Sequence, residues 1–198
     1  VIRSPKDAFD LKIGMIHQHF KLVDVFTAAE NIVLGLKEDG KFDIKSVEKK
    51  VAEISAKYGF SIDPSKKIYE MSVSEKQTVE IIRVLYRGAD ILILDEPTAV
   101  LTPQETKKLF GILRKMRDDG KAIIIITHKL NEVLSLSDRV SVLRKGEYIG
   151  TVKTKDANEA MLTEMMVGKK VSLNIERTVP ENGVDRLKVK DISCVNRE

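Results

Sequence analysis

Two adjacent acids close an apolar run. In "ILILDEPTAV", residues 91–100, four apolar residues lead straight into Asp95 and Glu96. Carboxylates are seldom buried without a partner. A strand that ends this way either caps a turn or faces a positive charge that the sequence does not itself supply. Two more polar groups hold equivalent places: Gln18 follows "KIGMI", and His128 follows "AIIIIT". In doubly wound sheets ligands sit at the carboxyl ends of the strands. The three clusters therefore converge on one edge if their strands are neighbours. Such an edge has the parts for phosphoryl transfer to water. One acid holds a divalent cation and the other orients a water. The glutamine adds a neutral oxygen, and the histidine donates toward developing negative charge. Each piece alone is ordinary. Loop-start acids and structural histidines are common at strand ends, and His17 and His19, which flank Gln18, make a poor metal site without a further ligand. Their joint spacing is what carries the chemistry.

The elements around these groups follow from periodicity and caps. "ILILD" reads as a fully buried strand. Thr102, Pro103 and Glu105 supply an N-cap, a proline at the first helical position and a capping-box acid. Leu109, Phe110, Leu113 and Met116 make the buried face of that helix, Gly120 ends it, and "KAIIIITH" is the next buried strand. Residues 91–127 are thus a strand–helix–strand crossover in a parallel sheet. Upstream, "LKIGMIHQHF" is a short strand ending in polar residues, and helical spacing appears around Ala28 to Leu36. Residues 43–59 form an amphipathic helix with Ile44, Val47, Val51, Ile54 and Tyr58 on one face. Residues 60–70, with Pro64, read as loop. Ser72 and Glu75 open another helix with a capping box; Val79, Ile82 and Tyr86 share its face and Gly88 closes it. Downstream, a hairpin turns about Lys145-Gly146. A last helix runs from Asp156 and Glu159 to near Gly168. Residues 171–185, with Pro180 and Gly183, read as a linker, and "RLKVKDISCV" as a new strand.

Composition excludes several classes. The 198 residues, 42% hydrophobic and 32% charged, suit one globular α/β domain, or one domain plus the start of another. Basic and acidic residues, 34 and 30, are interleaved to a net charge of +4, and only 5% of residues are aromatic. That is no nucleic-acid stripe. The lone Cys194 allows no internal disulfide and points to the cytosol. The longest apolar run, Ala122 to Ile126, is far short of the roughly 20 residues that span a bilayer, and the first residues show no signal-peptide pattern. A role at a membrane must come through a partner.

The order Gln18, then "MSVSEKQTVEIIRVLYRGADILILDEPTAVLTPQE", then "IIIITHKLNEV", resembles the ATP-binding subunits of ABC transporters over about residues 8–168. The resemblance implies a P-loop NTPase of ABC type, with a parallel sheet core and a helical subdomain over about 20–88, truncated at its N-terminal side. By it Gln18 is the Q-loop glutamine reaching Mg²⁺ and the attacking water. Asp95 is the Walker B acid on the metal, Glu96 the general base and His128 the switch histidine. Met71 to Glu75 is the signature motif, whose Ser72, Ser74 and Glu75 face ATP held by another domain. The cation facing the opening acids is then Mg²⁺ with nucleotide. The pattern also departs from the family's. Val73 and Ser74 replace glycines, Glu75 replaces glutamine, Thr78 replaces the usual arginine, and Thr102 replaces the D-loop aspartate.

No G-x-x-x-x-G-K-[ST] occurs in the 198 residues. The resemblance implies an internal piece of a tandem protein: residues 1–170 a partial first ATPase domain, 171–185 a linker, 186–198 the start of a second. "GMIHQHFKLVDVFTAAENIVLG" looks like importers of simple sugars and nucleosides, and "HQHF" leans to the nucleoside branch. Implied partners are transmembrane permease subunits, the second ABC domain and, indirectly, an extracytoplasmic solute-binding lipoprotein, with no nucleic acid. The implied location is peripheral, at the cytoplasmic face of the membrane. Two alternatives stay open. One is a soluble ABC ATPase of translation or DNA repair, although such proteins carry long coiled-coil or basic insertions where this chain is compact. The other is a non-catalytic regulatory domain, which the missing phosphate loop favours and the intact Glu96 and His128 oppose.

Overall fold

The computed structural model describes residues 2–36, 43–169 and 187–193. Its centre is a three-stranded parallel sheet: β1 (Ile13–Ile16), β2 (Ile91–Asp95) and β3 (Ala122–Ile126), with β2 in the middle. Met15 pairs with Ile93 and Ile93 with Ile124, so the registers align the three carboxyl ends. Between β2 and β3 runs α5 (Pro103–Asp118), which begins as the sequence predicts. The Thr102 hydroxyl accepts from Glu105 N, and Glu105 Oε2 accepts from Thr102 N at 2.8 Å. Leu109, Phe110, Ile112, Leu113 and Met116 are its buried face.

A helical layer packs on one side of the sheet. It comprises α2 (Ala28–Val33), α3 (Ile44–Tyr58) and α4 (Val73–Tyr86), and α4 lies against β1. Gly14 permits that approach: a Cβ there would stand 2.8 Å from Val84 Cβ and 3.1 Å from Ala89 Cβ. α4 starts with a reciprocal capping box, Glu75 Oε2 accepting from Ser72 N at 2.7 Å. Beyond the sheet, α6 (Leu130–Leu136) leads to the hairpin β4 (Arg139–Arg144) and β5 (Glu147–Lys153), which turns at Lys145 and Gly146, both at positive φ. α7 (Glu159–Val167) packs back on β4, burying Leu162, and stops at the left-handed Gly168.

The structure corrects several expectations. β2 and β3 are not buried on both faces. Leu92 and Leu94 are fully covered, but Ile124 and Ile126 are about half exposed, at 51% and 48%. The pleat explains the alternation. Gly14, Ile16, Leu92, Leu94, Ile123 and Ile125 share the face under the helices. Met15, Ile93, Ile124 and Ile126 share the opposite face, which is open among the described residues. α2 stops at Val33 rather than Leu36, because Leu34 turns to extended backbone and Gly35 is left-handed. Residues 68–70, read as loop, form a single 3₁₀ turn. The cap of α7 is Asn158, whose side chain accepts from Met161 N at 2.9 Å, while Asp156 ends a preceding 3₁₀ turn. α1 (Pro5–Asp10) and α6 were not foreseen. Residues 187–193 form no strand, and the linker at 171–185 and Cys194 lie outside the described residues.

Candidate functional site

Each candidate residue is placed by the strand it follows. Gln18 lies two residues beyond β1, Glu96 directly after β2, and His128 two residues beyond β3. Gln18, Asp95 and Glu96 line one cleft with His17 and Phe20. Asp95 is the last residue of β2 and pairs with Ile126, so its side chain belongs to the open face of the sheet. Glu96 adopts φ 47°, in the left-handed region, and donates its N–H to Ile126 O at 2.9 Å. A non-glycine residue is uncommon there. The turn swings Glu96 out of the strand direction and toward β3. Its Oε1 lies 2.8 Å from His128 Nδ1, the geometry in which the imidazole N–H donates to a carboxylate. The other oxygen, Oε2, is buried with no hydrogen-bond partner. Leaving a buried carboxylate oxygen unsatisfied is costly, so Glu96 is an acid that its folded surroundings do not fully satisfy. The Glu96 side chain is 18% exposed and that of His128 72%. The acid is thus recessed and the histidine stands at its mouth.

The metal question turns on the donor set. Among the described residues no three His, Cys, Asp or Glu side chains gather as a cation cage. Gln18 and Asp95 offer an amide and a carboxylate oxygen on one cleft. Mg²⁺ characteristically takes one or two protein oxygens and completes its shell with water and substrate phosphates. The residues present fit that ion.

Ser72, Ser74 and Glu75 are elsewhere, at the start of α4. Ser72 and Glu75 cap each other, and Lys66 Nζ donates to Glu75 Oε1 at 2.8 Å. That ammonium and the Ser72 N–H hold the Glu75 carboxyl below its usual range. Ser74 lines a second cleft with Phe60, Thr78, Leu101 and Glu105. Val73 is 43% exposed. The sequence-derived residues thus form two groups. One is Gln18, Asp95, Glu96 and His128 at the strand ends; the other is Ser72, Ser74 and Glu75 at a helix start.

Several residues that support the first group were missed. Thr98, 1% exposed, donates to Glu132 Oε2 at 2.7 Å, while Lys129 Nζ donates to Thr98 O and Oγ1 at 2.9 and 3.1 Å. These bonds tie the turn after Glu96 to the start of α6, next to His128. Gln77, 5% exposed, donates through Nε2 to Pro97 O at 2.6 Å. Nothing in the sequence marks Gln77, since Lys76 and Thr78 beside it are polar too.

Comparison with known proteins places the chain in a family. The family described as "ABC transporter" matches residues 3–99. The nucleoside import ATP-binding protein NupA of Lactococcus lactis subsp. cremoris is 46% identical over 194 residues, which cover 97% of this chain and 38% of that protein. The chain belongs to the ABC transporter ATP-binding family. The glucose import ATP-binding protein TsgD13 of Haloferax volcanii is 42% identical over 223 residues, covering 98% of this chain and 40% of that protein. Among solved structures, a dimeric post-hydrolysis state of the ATP-binding cassette MJ0796 with ADP and Pi matches at a TM-score of 0.65 and 26% identity, over 77% of this chain and 68% of that one. The fold is that of an ABC ATPase cassette. The chain spans about two fifths of the length of these curated relatives.

Proposed function

We propose that this chain is part of an ATP-hydrolysing subunit that drives import of a small solute, a nucleoside or simple sugar, through an ABC transporter. The observation that carries the reading is the carboxyl edge of the sheet. There Gln18, Asp95 and Glu96 share a cleft, and Glu96 joins His128 at 2.8 Å while keeping one buried oxygen unpartnered. Family membership and the names of the relatives favour import over a soluble or regulatory role.

In this reading Asp95 and Gln18 would hold Mg²⁺, which would neutralise phosphate charge. The Glu96 carboxylate accepts a hydrogen bond from the attacking water and takes its proton as the new P–O bond forms and the bond to ADP breaks. His128, oriented by Glu96 through Nδ1, needs both ring nitrogens protonated to donate from the other one to the transferred phosphoryl group. The phosphate-cradling loop and a second ABC domain belong to the rest of the protein. Permease subunits, with a solute-binding lipoprotein outside, are the partners, and the location is peripheral at the cytoplasmic face. The nucleoside branch is favoured by "HQHF" and by the 46% identity to NupA. Uptake of labelled guanosine and of labelled ribose by cells carrying or lacking the gene tests the reading. Loss of nucleoside uptake alone supports the favoured branch, and loss of ribose uptake alone moves the solute to the sugars. Unchanged uptake of both contradicts import of these solutes.

A further inference from the structure

Helix α4 carries a buried acid that no part of the proposed chemistry uses. Glu80 is 3% exposed, and its Oε1 accepts from the backbone N–H of Lys21 at 2.9 Å. Arg83, one helical turn on, donates through one terminal guanidinium nitrogen to the Lys21 carbonyl at 2.9 Å and to Glu80 Oε1 at 3.3 Å. An i,i+3 pair on one helix face thus grips both backbone groups of a single residue. Lys21 stands three residues beyond Gln18, on the segment that leaves β1 for the helical layer. Two residues further, Asn31 of α2 accepts from Val23 N at 2.7 Å and donates to Val23 O at 3.1 Å. The same helix α4 begins at Ser72, in the second group of candidate residues.

We propose that Glu80 and Arg83 are positioning residues: they lock the Gln18 loop to α4, so that this loop moves with the helix that carries Ser72. The inference rests on the reading of Gln18 as part of the ATP site. A buried carboxylate is costly to keep, and hydrogen bonds to a charged group are the stronger kind. A carboxylate paired with a guanidinium therefore makes a stiff clamp where an apolar side chain would let the loop slide. Glu80 touches neither substrate nor the cleft, so its loss should act on turnover through the placing of Gln18.

The test uses the full-length protein with its permease in proteoliposomes, and compares kcat and KM for ATP in Glu80→Leu, Glu80→Gln, Gln18→Ala and the corresponding double variants. Glu80→Leu should lower kcat on the order of ten-fold or more while leaving KM for ATP unchanged. Glu80→Gln, which keeps an acceptor for the Lys21 N–H, should recover most of that loss. In the Gln18→Ala background neither change at Glu80 should lower kcat further. If Glu80→Leu does not fold, Arg83→Met, which removes the donor to the Lys21 carbonyl, combined with Gln18→Ala reads the same coupling. Equal falls in both backgrounds, or an unchanged kcat in Glu80→Leu or in its Arg83→Met substitute, would overturn the clamp while leaving the site reading intact. A Gln18→Ala protein with the parent's kcat would instead overturn the site reading, and the clamp with it.

Discussion

Glu96 concentrates the residue-scale argument. Its left-handed backbone, its contact with His128 and its unpartnered buried oxygen are three separate features that a loop-start acid has no need of. Strain of this kind is kept where it is used. In the full-length protein Glu96→Gln should cut ATP turnover by about 10²–10⁴-fold, because an amide cannot take a proton from water. Nucleotide binding should persist, since the shape is kept. Steady-state phosphate release and equilibrium ATP binding, measured on the same preparation, check both halves. Glu96, Asp95, Gln18 and His128 could be picked from the sequence because each is a polar break at the end of an apolar strand. Lys129, Thr98 and Gln77 could not, because their partners are backbone and side-chain atoms brought close only by the fold.

At the scale of elements, caps and close approaches can be tested directly. Gly14→Ala forces a Cβ against Val84 Cβ, a branch point with little freedom to yield. Overpacking of this kind costs about 1–3 kcal/mol, and a thermal melt should fall by about 2–4 °C for each kcal/mol. An unchanged melt would mean that β1 sits further from α4. Thr102→Ala removes the cap of α5 and should cost about 1 kcal/mol, visible as a lower denaturant midpoint at unchanged slope. The crossover 91–127, the helices α3, α4 and α5 and the hairpin were legible because caps, apolar spacing and glycine stops agree there. Burial of β2 and β3 was misjudged for a physical reason. An unbroken apolar run signals a covered strand, yet it cannot say which elements lie on each face; Ile124 and Ile126 face outward in the described residues. The start of α7 was misplaced because Asp156 and Glu159 imitate a capping pair while Asn158 makes the bond.

For the molecule as a whole, acid stability follows from its paired carboxylates. Lys121, then Lys12, hold Asp90 below its ordinary value of 3.8; Lys57, then Tyr58, do the same for Asp119. The Thr102 N–H lowers Glu105, and the Lys66 ammonium lowers Glu75, from 4.5. A group depressed in the folded state contributes stability that is complete above its unfolded value and is lost as pH falls through the folded one. Chemical denaturation at a series of pH values should therefore give a plateau near neutrality and a decline that sets in at about 4.5. A midpoint flat down to about pH 3 would mean that these pairs are not held in solution. We propose that the two residue groups serve two different nucleotide sites, one at the strand ends of this chain and one completed by Ser72, Ser74 and Glu75 against nucleotide held by a second domain. Photo-crosslinking of the full-length protein with an azido-ATP, followed by cleavage between its halves, reads the two occupancies separately. Asp95→Asn should weaken Mg²⁺-dependent labelling of the first half only, and Ser72→Arg should lower labelling of the second half only. Loss of first-half labelling in Ser72→Arg, with the second half unaffected, would contradict this division of the two groups.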